Sequence, residues 1–261
     1  TMEVIIQPNA EAVGRYAARV VTRVMRGRLA PVLGLATGTT PLPLYQELIR
    51  LHREEALDFG ACSTFNLDEY VGLPARHPQS YRSFMQEHLL SRINVPPERV
   101  HIPDGMAEDI ATACADYEEA IRKADGIDVQ VLGIGTSGHI GFNEPTSSLR
   151  SRTRIKTLTD RTRQDNARFF ETEEDVPHHV ITMGIGTILD SRRCLMLATG
   201  AGKAPAVAAM IEGPLTAMCP ASALQMHPQV TVVLDEAAAR ALTHASYYRW
   251  VYENKPAWQR D

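Results

Sequence analysis

Two neighbouring carboxylates, Asp68 and Glu69, follow a short run typical of a β-strand at residues 63–66. A carboxylate at the end of a strand can serve as a general base that removes a proton from a carbon next to a carbonyl or iminium group. Taken alone, two adjacent carboxylates are more often part of a solvated loop. The catalytic interpretation of this pair therefore depends on which other groups lie beside it.

A single histidine, His139, lies in the glycine-rich segment LGIGTSGHIGFNEP at residues 132–145. Glycines concentrated after a strand usually mark a place where the backbone approaches a ligand closely. Histidine is the side chain best suited to move protons near neutral pH, and Glu144, five residues later, can fix its tautomer. One histidine and one glutamate are too few ligands for a metal ion, so no metal site is expected.

A third segment, GLATGTTP at residues 34–41, joins a predicted strand to a predicted helix. Thr40 suits the N-cap of that helix, and Pro41 suits its first turn. Gly38 would let the backbone approach a ligand, and the amides at the helix start would face an anion. The segment matches neither the P-loop nor the dinucleotide-binding glycine pattern. A tight, well-capped turn is the alternative interpretation.

Two cations complete the set of candidate groups. Arg168 lies near the end of a helical pattern at residues 162–170, and Lys203 follows a small-residue segment at 198–202 that contains two glycines. Arginine is a forked donor for phosphate, whereas lysine is a compact charge. Each is individually typical of a solvated surface. Lys203 is the stronger candidate because its glycine-rich setting resembles that of Gly38.

Short β-branched runs alternate with longer amphipathic runs along almost the whole chain. They predict strands at residues 3–6, 32–35, 63–66, 129–133, 194–198 and 230–234, and helices at residues 10–25, 42–54, 83–90, 111–123, 203–212 and 237–248. Strands separated by helices favour parallel pairing, so we expect a single α/β domain over residues 1–261. Its sheet should be doubly wound and mostly parallel, with helices on both faces. Ligands bind at the carboxyl ends of the strands in such sheets, where the candidate segments lie.

The composition excludes several classes of partner. The 261 residues carry a formal net charge of −4, which gives no electrostatic reason to expect nucleic acid or an anionic membrane. The four cysteines are widely spaced and form no C-x-x-C pair, so a reducing, cytoplasmic location is expected. No apolar run reaches the roughly 18–20 residues that span a bilayer. An anionic substrate would have to be captured by local cations.

Together these segments resemble the glucosamine-6-phosphate deaminase family, also called glucosamine-6-phosphate isomerases. The resemblance covers most of the chain: residues 33–45, 65–85, 132–159, 162–170, 224–228 and the segment around Lys203. Its most specific part combines GHIGFNEP with SRTRIKTLT. The related 6-phosphogluconolactonases share the fold but typically carry Asp-Glu-Arg where this chain has Asp68, Glu69 and Tyr70.

The resemblance implies a mechanism and a role for each candidate residue. Family members open the sugar ring, move a proton between C2 and C1 through an enolamine, and hydrolyse the imine to a ketose phosphate and ammonia. Asp68 matches the enolisation base, His139 the residue that transfers the ring-oxygen proton, and Glu144 its supporting carboxylate. The substrate site would include Thr37, Gly38, Thr39, Thr40, Ser137, Arg168 and Lys203. Neither a metal nor a redox cofactor is implied.

Two positions depart from parts of the family. Ser137 stands where some members carry an acidic residue, and a serine cannot stabilise a protonated imidazole by charge. Allosteric members bind N-acetylglucosamine 6-phosphate at a subunit interface. The matching positions here are Ser147, Ser148, Arg154, Lys156 and Thr157, although residues 150–156 also fit a plain solvated basic segment. The family includes monomers and hexamers, so a homo-oligomer is compatible with the sequence.

Three alternatives stay open at this stage. The substrate can be the galactosamine epimer, since the sequence does not reveal the contact to the epimeric hydroxyl. A 6-phosphogluconolactonase-like hydrolase would use the same fold without abstracting a proton from C2. A non-catalytic sugar-phosphate sensor would have no need for Asp68, His139 and Glu144 together.

Overall fold

The computed structural model describes residues 2–256 and 259, the side chains of residues 161 and 165 excepted. Seven strands pair in parallel in one sheet, and three more form a small antiparallel sheet. The ten strands are β1 (Met2–Gln7), β2 (Val32–Leu35), β3 (Ser63–Asn66), β4 (Asp68–Tyr70), β5 (Val100–His101), β6 (Val129–Gly133), β7 (Arg154–Thr157), β8 (His179–Thr182), β9 (Cys194–Ala198) and β10 (Val230–Asp235).

The large sheet has the strand order β1-β10-β9-β6-β2-β3-β5. From β2 the chain builds outward through β3 and β5 on one side, and through β6, β9 and β10 on the other. The switch in direction therefore lies between β2 and β6, and in open parallel sheets a ligand crevice forms at the carboxyl ends of the strands at such a switch. The first strand, β1, lies at one edge and pairs with β10 and with no other described strand. The prediction of a doubly wound, mostly parallel sheet is confirmed.

Apolar runs explain why the central strands form where the sequence predicts them. Every residue of β9 is buried, and so are five of the six residues of β10, as expected for strands covered on both faces. The predicted bounds of β2, β3, β6 and β9 match the structure residue for residue. Tyr16, Tyr45, Phe59 and Phe65 are the largest fully buried side chains in the core around this sheet.

The helices are α1 (Ala10–Arg26), α2 (Leu42–Glu54), α3 (Tyr81–His88), α4 (Ile110–Lys123), α5 (Asp160–Ala167), α6 (Ile185–Leu189), α7 (Ala204–Glu212), α8 (Glu236–Ala239) and α9 (Ala245–Glu253). Side-chain caps fix several starts. Asn9 accepts a hydrogen bond from the Ala12 N–H before α1, and Asp109 accepts one from Thr112 before α4. Across the described part of the chain, no helix is long and apolar enough to cross a membrane.

Two helix predictions are wrong in detail. The single helix predicted at residues 237–248 is broken into α8 and α9, because the Glu212 carboxylate accepts the backbone N–H groups of Thr243 and His244 at 2.8 and 2.9 Å. Those bonds start α9 afresh. The predicted N-cap role of Thr40 is also wrong: Pro41 directly precedes α2, and no side chain caps its first turn.

The small sheet, with the order β4-β8-β7, is absent from the sequence prediction. Its strands are short and rich in polar residues, so they show no apolar run. A single residue, Leu67, separates β3 from β4, and its backbone bonds to Leu35 on one side and Met183 on the other. The chain therefore passes from the large sheet directly into the small one, and Asp68 is held in a strand at that junction.

A second, smaller core lies beside the small sheet. We call it the aromatic cluster: Tyr70, Phe142, Leu158 and Val180, with Leu73, Tyr81 and Phe170 packed against it. Leu158 precedes α5 and Phe170 follows it, so the cluster joins the α5 region to the small sheet. The Tyr70 hydroxyl also accepts a hydrogen bond from Asn166 in α5 at 3.1 Å.

Candidate active site

The two adjacent carboxylates have separate environments. Asp68 is buried, and within the described part of the chain no donor forms a hydrogen bond to its carboxylate. Burial, together with the nearby charge of Glu69, raises the pKa of Asp68 to about 8. Its Oδ2 atom faces the Gly141 backbone, two residues after His139, where an added Cβ would lie 3.6 Å away. Asp68 is therefore an uncompensated buried acid next to the histidine loop.

Glu69 is occupied by the backbone. Its carboxylate accepts N–H groups from Tyr70 and Tyr81 at 2.9 Å and from Arg82 at 3.0 Å. Tyr81 and Arg82 are the first residues of α3, so Glu69 caps that helix through its otherwise unpaired amides. Burial raises the pKa of Glu69, and the three backbone bonds oppose that rise. Of the two carboxylates, only Asp68 is free to act on a substrate.

His139 belongs to a hydrogen-bonded group with Ser137 and Glu144. The Ser137 hydroxyl lies 2.8 Å from Nδ1 of His139 and 3.1 Å from Oε2 of Glu144, while Nδ1 itself is 3.3 Å from Oε2. Gly135 makes room for the ring, since a side chain at that position would overlap the imidazole. The structure thus brings together three residues that the sequence placed within seven positions.

The hydrogen-bond directions fix the histidine tautomer. A charged carboxylate only accepts, so the single Ser137 proton is donated to Glu144. The Ser137 oxygen then accepts from His139, which places the proton of the neutral ring on Nδ1. The other ring nitrogen, Nε2, then carries the lone pair, and no described residue bonds to it. His139 can accept a proton at Nε2 while Ser137 connects Nδ1 to the negative charge.

Glu144 is fully supplied with partners. Its second oxygen, Oε1, accepts a 2.5 Å hydrogen bond from the Thr162 hydroxyl in α5. Burial alone would raise the pKa of Glu144, but the bonds and charge of His139 and the hydroxyls of Thr162 and Ser137 hold it at about 2. Glu144 is therefore ionised at any physiological pH.

Glycines keep the crevice beside these groups open. Gly38, Gly133, Gly200 and Gly202 lie at or just after the carboxyl ends of three neighbouring strands, and an added Cβ would meet no atom within 4 Å at any of them. Gly38 and Gly200 also have φ of +96° and +87°, which favour glycine. The space left by these glycines suits a ligand that contacts backbone directly.

The predicted phosphate groups divide between this crevice and the protein surface. The loop of Thr37, Gly38, Thr39 and Thr40 follows β2, and Lys203 immediately precedes α7 after β9, so both border the crevice. Arg168 is exposed at the end of α5, with its guanidinium 4.7 Å from the Phe169 ring centre. Among the described residues, no hydrogen bond or ion pair joins Arg168 to the Thr37–Thr40 loop.

The residues matched to an effector site lie beside the histidine loop. Arg154 on β7 is half-buried and donates to Oδ1 of Asn143 at 2.9 Å, next to Glu144. Ser147 is buried, and no described residue bonds to its hydroxyl. Ser148 and Thr157 are exposed, and Lys156 is half-buried. Arg154 is therefore part of the packing behind the site and is not simply solvated.

Sequence reasoning missed two supporting residues, Thr162 and Asn143. Asn143 donates from its amide to the carbonyls of Ile140 and Met183 at 2.9 and 2.8 Å, which pins the histidine loop to the end of β8. Thr162 reaches Glu144 from 18 positions away. The pattern Thr159-x-x-Thr162 signals a helix start but gives no sign of this contact.

Comparison with known proteins gives one family. A family model described as glucosamine-6-phosphate isomerases/6-phosphogluconolactonase matches residues 7–233. A protein of Arthrobacter sp. (strain FB24) named glucosamine-6-phosphate deaminase is 56% identical over 258 residues, which cover 99% of both chains. The corresponding protein of Streptomyces coelicolor, with the same name, is 54% identical over 259 residues and 99% of both chains.

Two solved structures frame the likeness. A structure described as a monomeric glucosamine-6-phosphate deaminase has a TM-score of 0.90 and 44% identity, over 92% of this chain and 100% of the other. The 6-phosphogluconolactonase from Trypanosoma cruzi has a TM-score of 0.72 and 20% identity, over 93% and 97% of the two chains. The second likeness is one of fold alone.

Proposed function

The chain belongs to the family of glucosamine-6-phosphate isomerases and 6-phosphogluconolactonases, and we propose that it converts glucosamine 6-phosphate and water to fructose 6-phosphate and ammonia. Full-length relatives that share more than half of their residues with it carry the name of that deaminase. The observation that carries the proposal is the pairing of a bare buried acid, Asp68, with the His139–Ser137–Glu144 group across one open crevice.

Ring opening is assigned to His139. Its free Nε2 takes the proton of the hydroxyl on C1 and gives a proton to the ring oxygen, so the closed hemiacetal becomes an open aldehyde with no net proton change. Between these two transfers the imidazole ring of His139 is protonated and therefore cationic. The ionised Glu144, acting through Ser137, stabilises that cation and keeps Nδ1 directed away from the substrate.

Proton transfer between carbons is assigned to Asp68. Its carboxylate removes the proton from C2 while the C1 oxygen gains one from the substrate ammonium, which produces the neutral enolamine. Asp68 then returns a proton to C1, and C2 becomes an iminium carbon that water attacks to release ammonia and leave the ketose. The raised pKa makes Asp68 a stronger proton acceptor than an exposed aspartate, and the ammonium of the bound substrate favours its ionised form.

Phosphate binding is assigned to the Thr37–Thr40 loop and Lys203. Backbone amides beside Gly38 and the amino group of Lys203 suit a dianion in the crevice. These local donors would attract the phosphate although the chain as a whole is negatively charged. Arg168 would have to approach from the end of α5 to take part. This mechanism uses acid–base groups and water only.

The lactonase alternative is weaker at one specific position. Tyr70 stands where the related lactonases typically carry arginine. Here it is buried in the aromatic cluster and bonded to Asn166. A phenol held in this way places no cation next to Asp68, so this site is less suited to stabilising the tetrahedral oxyanion of lactone hydrolysis than to abstracting a proton.

The test is production of ammonia and fructose 6-phosphate from glucosamine 6-phosphate in D2O, with deuterium incorporation at C1 followed by NMR. We expect turnover with solvent-derived deuterium in the wild type and a loss of about 10²–10⁴-fold in Asp68→Asn. Asp104→Asn, which alters an exposed turn carboxylate, is the matched control. Turnover of galactosamine 6-phosphate alone, lactone hydrolysis alone, or sugar-phosphate binding without turnover would each refute the proposal.

Effector control is a finer part of the proposal. We propose that N-acetylglucosamine 6-phosphate binds near Ser147, Ser148, Arg154, Lys156 and Thr157, since the bond from Arg154 to Asn143 links that segment to the histidine loop. A rate that does not change with this compound at subsaturating substrate would refute it. Sedimentation with and without the compound would tell whether a homo-oligomer such as a hexamer is needed. The four free, buried cysteines suit the proposed cytoplasmic location.

A further inference from the structure

Glu144 is tied to helix α5 by a bond that the proposed mechanism does not use. The mechanism needs Oε2, which faces Ser137 and His139, whereas Oε1 takes the 2.5 Å bond from Thr162. Glu144 is only 7% exposed and its two oxygens have three hydrogen-bonding partners. Without the Thr162 hydroxyl, Oε1 would have no donor among the described residues, and the carboxylate could rotate away from Ser137.

The direction of the Thr162 proton is also fixed. The Thr159 hydroxyl donates to the Thr162 oxygen at 3.0 Å, while the Thr159 oxygen accepts the Thr162 backbone N–H at 3.2 Å. Thr162 therefore accepts from Thr159 and has its own proton left for Glu144, which can only accept. Each bond in such a chain polarises and strengthens the next.

The same helix is held at a second point. Asn166 in α5 bonds to Tyr70, two residues after Asp68, and Phe170 beyond the helix packs into the aromatic cluster. The start of α5 thus contacts the carboxylate that serves His139, and its later turn contacts the strand that carries Asp68. A shift of α5 would disturb both ends of the site, but among the described side chains of α5 only Thr162 contacts a group that acts on His139.

Building on the proposed function, we propose that Thr162 is a positioning residue: its hydroxyl fixes Glu144 for ring opening, so α5 must be docked before His139 can act. Its hydroxyl bonds to Glu144 and Thr159 and acts on His139 only through Glu144. Its effect is confined to ring opening and leaves proton abstraction at C2 by Asp68 intact.

That division gives a signature which a purely structural role would not produce. With substrate deuterated at C2, the isotope effect on kcat/KM reports how far C–H cleavage limits the rate. Thr162→Val keeps the shape of the side chain and removes the hydroxyl. We expect kcat/KM to fall about 10- to 100-fold, as when a residue that holds a functional side chain by a hydrogen bond is removed. The isotope effect should fall towards one because ring opening becomes slower than C–H cleavage.

Two variants control for damage to the helix. Thr162→Ser restores the hydroxyl and should recover most of the rate and the isotope effect. Thr172→Val removes a threonine hydroxyl just beyond α5 whose one bond among the described residues is to the Asp175 side chain, and it should behave as the wild type. A Thr162→Val enzyme with an unchanged rate and isotope effect, or a Ser variant as impaired as the Val variant, would overturn the inference.

A measurement without turnover separates this inference from the proposed function. Imidazole ¹⁵N shifts of His139, assigned with the His139→Gln variant, should show the proton on Nδ1 in the wild type and a mixed tautomer in Thr162→Val. Identical spectra would overturn the positioning role even in an active enzyme. If the wild type releases no ammonia, the proposed function fails, and the spectra still support or overturn the contact between Thr162 and the histidine group.

Discussion

Two buried carboxylates in the same crevice, Asp68 and Glu144, have opposite properties. Their exposed fractions are nearly equal, at 6% and 7%. Yet the pKa of Asp68 is raised to about 8 and that of Glu144 is lowered to about 2. The difference comes from their partners, because Glu144 has three and Asp68 has none among the described residues. Burial by itself does not determine the charge of an acid in a site.

The contrast matches the two tasks proposed for these groups. A group that removes a carbon-bound proton needs basicity and an unobstructed lone pair, and donors would reduce both. A group that orients a histidine needs a permanent charge and one fixed position. Leaving Asp68 bare costs stability, whereas saturating Glu144 contributes stability, so changes at the two sites should shift stability in opposite directions although both lower activity.

Activity offers the largest effect. Asp68→Asn should lose about 10²–10⁴-fold in kcat because no other group can remove the C2 proton, whereas Glu144→Gln should lose about 10- to 100-fold because the histidine remains in place. The measurement is ammonia release at saturating substrate. Equal losses in the two variants would show that the carboxylates act as one unit and would break the comparison.

Stability should change with the opposite sign. Between pH 4 and pH 8 the folded protein keeps a proton on Asp68 that the unfolded chain has lost, so wild-type stability falls as the pH rises through this window. Asp68→Asn removes that cost and should gain about 2–4 kcal/mol in the free energy of unfolding at pH 7, with little gain near pH 3.

Glu144→Gln should instead lose about 1–3 kcal/mol at pH 7. The contribution of the ionised Glu144 is present above its ordinary pKa and is lost as the pH falls towards 2. Urea denaturation of both variants at pH 3, 5 and 7 provides the test. A destabilised Asp68→Asn protein at pH 7 would mean that Asp68 has a partner in the folded state.

The pH–rate profile sharpens the assignment of the base. In the free enzyme the ionised fraction of Asp68 increases up to a pKa of about 8, so kcat/KM should rise about tenfold per pH unit below it. The limb in kcat should lie at lower pH, because the bound ammonium favours the carboxylate. The amine and the phosphate of the substrate also titrate, so both rate profiles are corrected with titrations of the free substrate followed by NMR. If the acid limbs of kcat and kcat/KM lie at the same pH, the substrate ammonium does not influence the ionisation of Asp68.

Ser137 offers the smallest effect. Ser137→Ala breaks the connection between His139 and Glu144, but Nδ1 stays 3.3 Å from Oε2 and can bond to it directly. We expect a loss of about three- to tenfold in kcat/KM. Ser137→Asp adds a negative charge beside the imidazole ring. At the acid end of the pH–rate profile, the rate of ring opening should then depend more strongly on pH. Unchanged pH dependence in Ser137→Asp would show that charge at this position has no influence.

The parts of the fold that rest on local pattern were predictable. Strands β2, β3, β6 and β9 follow from short buried runs, and the helices between them follow from amphipathic spacing. The small sheet was not predictable because β4 pairs with β8 across more than a hundred residues, and because its three short strands show polar faces. Likewise, the break between α8 and α9 depends on Glu212, which lies 31 positions before Thr243.

The candidate site divides in the same way. Asp68, His139 and Glu144 could be named from the sequence because each follows a strand in an unusual polar or glycine-rich setting. The different roles of Asp68 and Glu69 could not be predicted from the sequence. They depend on the position of α3, whose first backbone amides donate to Glu69. Thr162 was hidden for the same reason: its partner is distant in sequence, and a helix start explains a threonine there without any further role.

The edge pairing of β1 has a consequence for synthesis. Among the described strands β1 pairs with β10 alone, more than two hundred residues later, and the pairing runs in register from Met2 with Val230 to Gln7 with Asp235. At translation rates of about 5–20 residues per second, the first strand must wait roughly 10–45 s with its backbone unpaired. During that time its unpaired N–H and C=O groups can pair with a strand of another molecule. A nascent chain stalled before β10 is therefore prone to aggregate through β1.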